Sequence, residues 1–154
     1  MKGNQFTLGL KTTMNINMVN RSENPLPNYA KDGDAGMDIC ASEDVTLAAF
    51  DWSAIPTGIY MELPEGYECQ IRSRSGLAAK FGIQVLNSPG TIDSGYRGEV
   101  KVILKNNAYA PYDVKKGDRI AQMVFAPVTT ATLTEVAELS DSERGEGGLG
   151  STGK

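Results

Sequence analysis

Asp93 and Tyr96 stand in the run Asn87-Ser88-Pro89-Gly90-Thr91-Ile92-Asp93-Ser94-Gly95-Tyr96-Arg97-Gly98, between the apolar stretches Ile83 to Leu86 and Val100 to Leu104. A carboxylate can take a proton from water, and an aromatic ring can wall a ligand. Glycines at 90, 95 and 98 leave backbone bare, so N–H and C=O groups around Gly90 and Lys101 are further candidates for contact. A structural hairpin needs only two to five turn residues; this connection has far more polar side chains and exposed backbone than that. The excess points to a site.

Four other segments hold groups of compatible chemistry. Asp38, in Ala35-Gly36-Met37-Asp38, is an acid beside small residues that could reach a hydrated Mg²⁺, although a strand-end aspartate is the ordinary explanation. Arg72-Ser73-Arg74-Ser75-Gly76-Leu77 places guanidinium and hydroxyl groups where a short helix begins and its N–H groups point outward, an arrangement suited to anions. A plain helix cap by Ser75 would also account for it. Gln122, in Gly117-Asp118-Arg119-Ile120-Ala121-Gln122, can donate to an oxygen. Arg144, Ser151 and Thr152 lie in a glycine-rich tail whose N–H groups could converge on a phosphate.

The 154 residues contain no histidine, which removes Ser/His and Cys/His nucleophilic schemes and most zinc sites. Chemistry is left to carboxylates, hydroxyls, cations and a hard metal. The formal net charge is −4, and the only lysine or arginine block is Lys115-Lys116, which argues against a nucleic-acid or anionic-membrane face. No apolar run has the length of a membrane span, and the amino end lacks the apolar core of a signal peptide. A cytoplasmic protein is expected, or one inside a host cell if phage or virus encoded. Cys40 and Cys69 read as buried free thiols.

The elements that must position these groups are short strands. Met14 to Val19, a strand near Asp38 to Ala41, Val45 to Leu47, Ser53 to Tyr60, Tyr67 to Arg72, Ile83 to Leu86, Val100 to Asn106, Tyr112 to Val114, Ile120 to Pro127 and Thr132 to Val136 have strand composition, with turn residues between them. Only Ser75 to Phe81 is helix-like. The pattern predicts an all-β sandwich or barrel-like domain over 14–138, a loose leader at 1–13 and a flexible glycine-rich arm at 139–154. Two fingerprints in the arm mislead. Gly145-x-Gly147-x-x-Gly150 lacks a βαβ unit around it, and the run Gly148 to Lys154 lacks the hydroxyl residue that follows the lysine of a P-loop.

Ala35-Gly36-Met37-Asp38, Arg74-Ser75-Gly76-Leu77-Ala78, Gly90 to Gly98, Gly117 to Gln122 and Arg144 to Gly153 together resemble, in order and spacing, the five motifs of the trimeric dUTPases. The resemblance spans 35–153. It implies a jelly-roll-like, distorted β-barrel subunit in a homotrimer whose sites are shared between subunits, hydrolysing dUTP to dUMP and pyrophosphate with Mg²⁺. Asp93 would then be the base for the attacking water, and Asp38 would hold the metal through water. Arg74, Ser75, Gly76 and Gln122 would grip the phosphates, with Arg144, Ser151 and Thr152 closing over their far end. Asn87, Gly90, Thr91, Ile92 and Lys101 would face the base, Tyr96 the sugar, and Leu149 would cover the base where the family usually has an aromatic. Rival readings are a dCTP deaminase on the same fold, possibly bifunctional, and a nucleotide-gated regulatory binding protein. Tyr96 and the complete tail favour the dUTPase.

Overall fold

The computed structural model describes residues 13–148. The architecture is all-β with one short helix, as expected. Eleven strands follow in order: β1 (Asn17–Asn20), β2 (Met37–Cys40), β3 (Val45–Leu47), β4 (Trp52–Pro56), β5 (Ile59–Glu62), β6 (Tyr67–Arg72), β7 (Ile83–Val85), β8 (Gly90–Ile92), β9 (Lys101–Asn106), β10 (Tyr112–Val114) and β11 (Arg119–Pro127), with α1 (Ser75–Phe81) between β6 and β7. They form a four-stranded sheet in the order β2-β11-β6-β8, a three-stranded sheet β4-β9-β7, and the pairs β1-β5 and β10-β3. Every pairing is antiparallel.

Alternation builds the core. Along β9, Val102, Leu104 and Asn106 point inward while Lys101 faces solvent. Val102 and Leu104 join Ile39, Ile55, Ile71, Ile83, Val100, Ile120 and Met123 in one buried cluster. Each such side chain contributes about 1.5–3 kcal/mol by leaving water. Asn106 is the polar exception. Its Nδ2 donates to the carbonyls of Leu47, Ala48 and Ala110 at 3.2, 3.1 and 2.9 Å, and its Oδ1 accepts from Ala108 N at 2.8 Å. The amide thereby ties β9 to the end of β3 and to the following loop. Asn106→Ala should cost about 3 kcal/mol, because it leaves several backbone groups unpaired in a dry interior. Denaturant unfolding checks this, and a loss below 1 kcal/mol would contradict it.

Three sequence expectations change. The stretch Ser53 to Tyr60 is two strands, broken at Thr57-Gly58, where Gly58 takes φ +69 and an added Cβ would meet Ser22 at 2.8 Å. Thr132 to Val136 forms no strand: β11 ends at Pro127, Val128 N donates to Gly66 O at 2.8 Å, and beyond it Leu133 is 92% exposed, with no strand paired to this stretch among the described residues. The β7–β9 hairpin forms, with Val85 opposite Leu104, yet its connection is not a free tip. Residues 90–92 leave it to become β8, the outer strand beside β6.

The thiols are free, Cys69 buried and Cys40 only half-buried. Burial, with Glu68 adding to it, pushes the Cys69 thiol up to about 12. Burial first, then the Asp38 charge, raises Cys40. The thiolate is the reactive form, so Cys69 should resist alkylation in the folded protein at pH 8, Cys40 should react slowly, and both should react on unfolding. Rapid native-state modification of Cys69 would count against this. Since the folded-state value is the raised one, Cys69 stops being neutral for stability above 9.0, and the fold weakens as pH climbs toward about 12.

Candidate active site

Because β8 is the outer strand of its sheet, one edge of Gly90–Ile92 has no ladder partner. Residues of β8 line a cavity of about 290 Å³ together with Asn87, Asp93, Tyr96 and Lys101, and with Ala54, Ile71, Glu99 and Ile103. All seven of the base-, sugar- and water-facing candidates that lie between 87 and 101 are thus brought to one place. Gly90 sits opposite Ile71, and a Cβ there would come to 3.3 Å from both Asn87 Nδ2 and Ile71 Cβ. The glycine keeps the floor of the cavity as bare backbone. Asp93 follows β8 directly and begins a turn in which Tyr96 N donates to its carbonyl at 3.1 Å. The Tyr96 hydroxyl donates to Glu99 O at 2.9 Å, so acid and ring belong to one rigid turn.

The second group lies across the sheet. Asp38 on β2 is opposite Gln122 on β11, which in turn is opposite Arg72 on β6. Arg74 Nε donates to Asp38 Oδ1 at 2.8 Å, and Arg119 Nη1 donates to Oδ2 at 3.2 Å. Arg74 also donates to Arg119 O at 3.0 Å. Two guanidiniums around one carboxylate leave a net positive charge at a partly exposed surface, which favours an anion. Gln122 Nε2 donates to Ser73 O at 3.0 Å and retains a second N–H, while its Oε1 occupies space that a Cβ on Gly36 would need. Asp38, Arg119, Gln122 and Gly36 line a cavity of about 450 Å³. The two cavities share no lining residue.

Ser75 is not the helix cap. Arg74 occupies that position with extended geometry and no capping side chain, so Ser75 and Gly76 open the first turn with uncapped N–H groups. Gly82 closes α1 in the left-handed region at φ 67. Arg144 is described at the far end of the chain, its Nε donating to Gly147 O at 2.8 Å. Leu149, Ser151 and Thr152 lie outside the described residues. Arg119, bonded to Asp38, and Glu99, in the lining of the cavity beside β8, are not among the candidates that the sequence singles out. Arg119 stands in the segment Gly117 to Gln122, where only Gln122 has a distinct signal, while Glu99 is a charge between Gly98 and the apolar run from Val100, a local sign of a constrained carboxylate.

Among the described residues no three His, Cys, Asp or Glu side chains gather as a metal cage. Mg²⁺ shared with a substrate keeps much of its water and takes one or two carboxylates plus phosphate oxygens. Each Asp38 oxygen accepts one N–H here and keeps lone pairs for metal-bound water.

A cavity lined by bare backbone and by the carboxylates of Asp93 and Glu99, with a cationic patch elsewhere on the same sheet, has the parts of a nucleotide-binding β protein. The chain belongs to the dUTPase family, whose model matches residues 22–153. It is 51% identical over 129 residues to the deoxyuridine 5'-triphosphate nucleotidohydrolase of Zymomonas mobilis, covering 84% of this chain and 88% of that protein. The Anaplasma marginale enzyme of the same name is 54% identical over 131 residues, covering 84% and 89%. Among solved structures, the dUTPase of Staphylococcus bacteriophage 80alpha with dUPNHPP superposes with a TM-score of 0.85 at 31% identity, covering 92% of this chain and all of that one. A mutant dUTPase of phage phi11 of S. aureus, which coordinates a structural Mg(II) ion, gives 0.76 at 28% identity, covering 83% and 100%. No helix among the described residues is long and apolar enough to cross a membrane.

Proposed function

We propose that this chain is a dUTP diphosphatase, hydrolysing dUTP to dUMP and pyrophosphate by attack of water on the α-phosphorus, and so lowering dUTP while supplying dUMP for thymidylate synthesis. The observation that supports it best is the cavity edged by β8, with Asp93 at the end of the strand. Its size is at the small end for ligand pockets and suits a nucleoside.

Fixed backbone polarity supplies base selectivity. A donor toward O4 and an acceptor toward N3–H pair with uracil, whereas cytosine presents the reverse and leaves both groups unsatisfied, a costly mismatch once water is excluded. Asn87, Gly90, Thr91, Ile92 and Lys101 form this wall, tight enough to exclude the extra methyl of thymine. Tyr96 lies against the deoxyribose and leaves no room for a 2′-hydroxyl. Asp93 orients the water and takes its proton as the oxygen attacks; the electron pair of the broken P–O bond leaves with pyrophosphate. No covalent enzyme intermediate is needed, in keeping with a chain without histidine.

Arg74, Ser75, Gly76 and Gln122 hold the phosphate chain, where positioning and charge neutralisation give the larger share of the acceleration. Mg²⁺ would be held by Asp38 through water, and when bound it neutralises phosphate charge. Residues 139–154 act as an arm: Arg144, Ser151 and Thr152 clamp the terminal phosphates, and Leu149 covers the base, excluding bulk water. Three copies assemble with sites shared between subunits, and the protein works in the cytoplasm or the interior of a host cell.

Product analysis after separate incubation with dUTP, dCTP, dTTP and UTP plus Mg²⁺ tests the proposal. Conversion of dUTP alone to dUMP and pyrophosphate is expected; deamination of dCTP, or no turnover at all, would overturn it.

A further inference from the structure

We infer that Gly98 and Glu99 are positioning residues for sugar selectivity, seating the Tyr96 ring and fixing the carbonyl to which its hydroxyl is tied. The inference rests on the proposed place of Tyr96 against the deoxyribose. Tyr96 is 44% exposed, so packing alone does not hold its ring. Gly98 provides the seat. A Cβ at that position would come within 2.5 Å of Tyr96 Cζ and would also strike the hydroxyl, far inside any carbon–carbon contact. Gly98 is not among the glycines with positive φ. Space for the ring, rather than backbone conformation, is therefore what this glycine supplies.

Glu99 supplies the tie. Its carbonyl accepts from the Tyr96 hydroxyl at 2.9 Å, and the N–H of the same peptide unit, that of Val100, donates to Ile59 O at 2.8 Å. Both ends of that peptide are thus engaged. The Glu99 carboxylate secures it further, Oε1 accepting from Gly58 N at 2.9 Å and from Thr57 N at 3.2 Å. Thr57 Oγ1 donates to Val100 O at 2.6 Å and accepts from Ile59 N at 3.2 Å. The turn between β4 and β5 and the start of β9 are locked together, and the Tyr96 hydroxyl is bonded to that lock. A wall held in this way cannot retreat from a 2′-hydroxyl, and rejection by bulk requires a wall that does not yield.

The test is kcat and KM for dUTP and for UTP, with Mg²⁺ and the full chain, in Gly98→Ala, Glu99→Ala, Glu99→Gln, Tyr96→Phe and Tyr96→Ala. Gly98→Ala should raise KM for dUTP and lower the dUTP-over-UTP preference by about tenfold, with kcat for dUTP little changed. Glu99→Ala should do the same while also lowering Tm. Glu99→Gln should restore the preference, because an amide oxygen accepts the same two N–H groups. Tyr96→Phe removes only the hydroxyl tie and should lower the preference in the same direction. If Tyr96→Ala relaxes the preference while Gly98→Ala and Tyr96→Phe leave it intact, the positioning inference is wrong and the place of Tyr96 stands. If Tyr96→Ala leaves the preference unchanged, the place of Tyr96 is wrong and the inference goes with it.

Discussion

Asp93→Asn should lower kcat for dUTP by about 10³-fold and move KM by no more than about threefold, as expected when a general base is lost and binding groups are kept. The substitution is conservative in shape. Asp93 enters its turn through its backbone, the carbonyl accepting from Tyr96 N at 3.1 Å, and asparagine suits turns as well as aspartate does. Cavity, ring and β8 edge should all survive, so a fall in rate would report the missing proton acceptor rather than a collapsed pocket. Initial rates of pyrophosphate release give kcat and KM, and thermal melting with a non-hydrolysable dUTP analogue shows whether binding persists. A variant retaining more than a tenth of the wild-type kcat would remove Asp93 from the role of base. A variant that also loses binding would mean that the carboxylate holds the nucleotide rather than activates water.

The local parts of this structure were legible in the sequence, and the parts set by long-range pairing were not. Ser75 to Phe81 is the helix it resembles, stopped by Gly82, and β3, β6 and β10 have the limits that their composition suggests. Alternation reports such elements because it reflects which face each side chain buries. Nothing local, however, tells residues 90–92 to desert their hairpin for β6, a partner some twenty residues earlier. The same limit applies to Thr132 to Val136, whose composition suits a strand but which pairs with no strand edge among the described residues.

The site divides in the same way. The stretch 87–101 is contiguous, and its residues gather in one cavity. Arg119 became visible only once β11 was laid beside β2, which put its guanidinium on Asp38. Glu99 acts through Thr57 and Gly58, forty residues away, so its neighbours in sequence gave no hint of its partners.

Mixing two inactive variants, Asp93→Asn and Arg74→Ala, should restore activity, because in a trimer with shared sites the acid and the phosphate grip can come from different copies. Asp93 belongs to one cavity; Arg74 is bound to Asp38 in the wall of the other, and no lining residue is common to the two. A single chain therefore presents base and phosphate halves that do not share a pocket, although both must reach one nucleotide. In a trimer with shared sites, a site is intact when its Asp93 comes from an Arg74→Ala subunit and its Arg74 from an Asp93→Asn subunit. Random assembly of equal amounts makes that true for about a quarter of sites, so activity should recover to about a quarter of wild type from a background near 10⁻³. The variants must be denatured and refolded together, since preformed trimers mixed without exchange would stay inactive and provide the control. Should co-refolded protein remain at the background of the single variants, with trimers shown by light scattering, acid and phosphate grip would have to come from the same chain. The separation of the two cavities would then have to be closed by movement within one subunit, and the β8 turn, rather than a neighbouring copy, would be the element that moves.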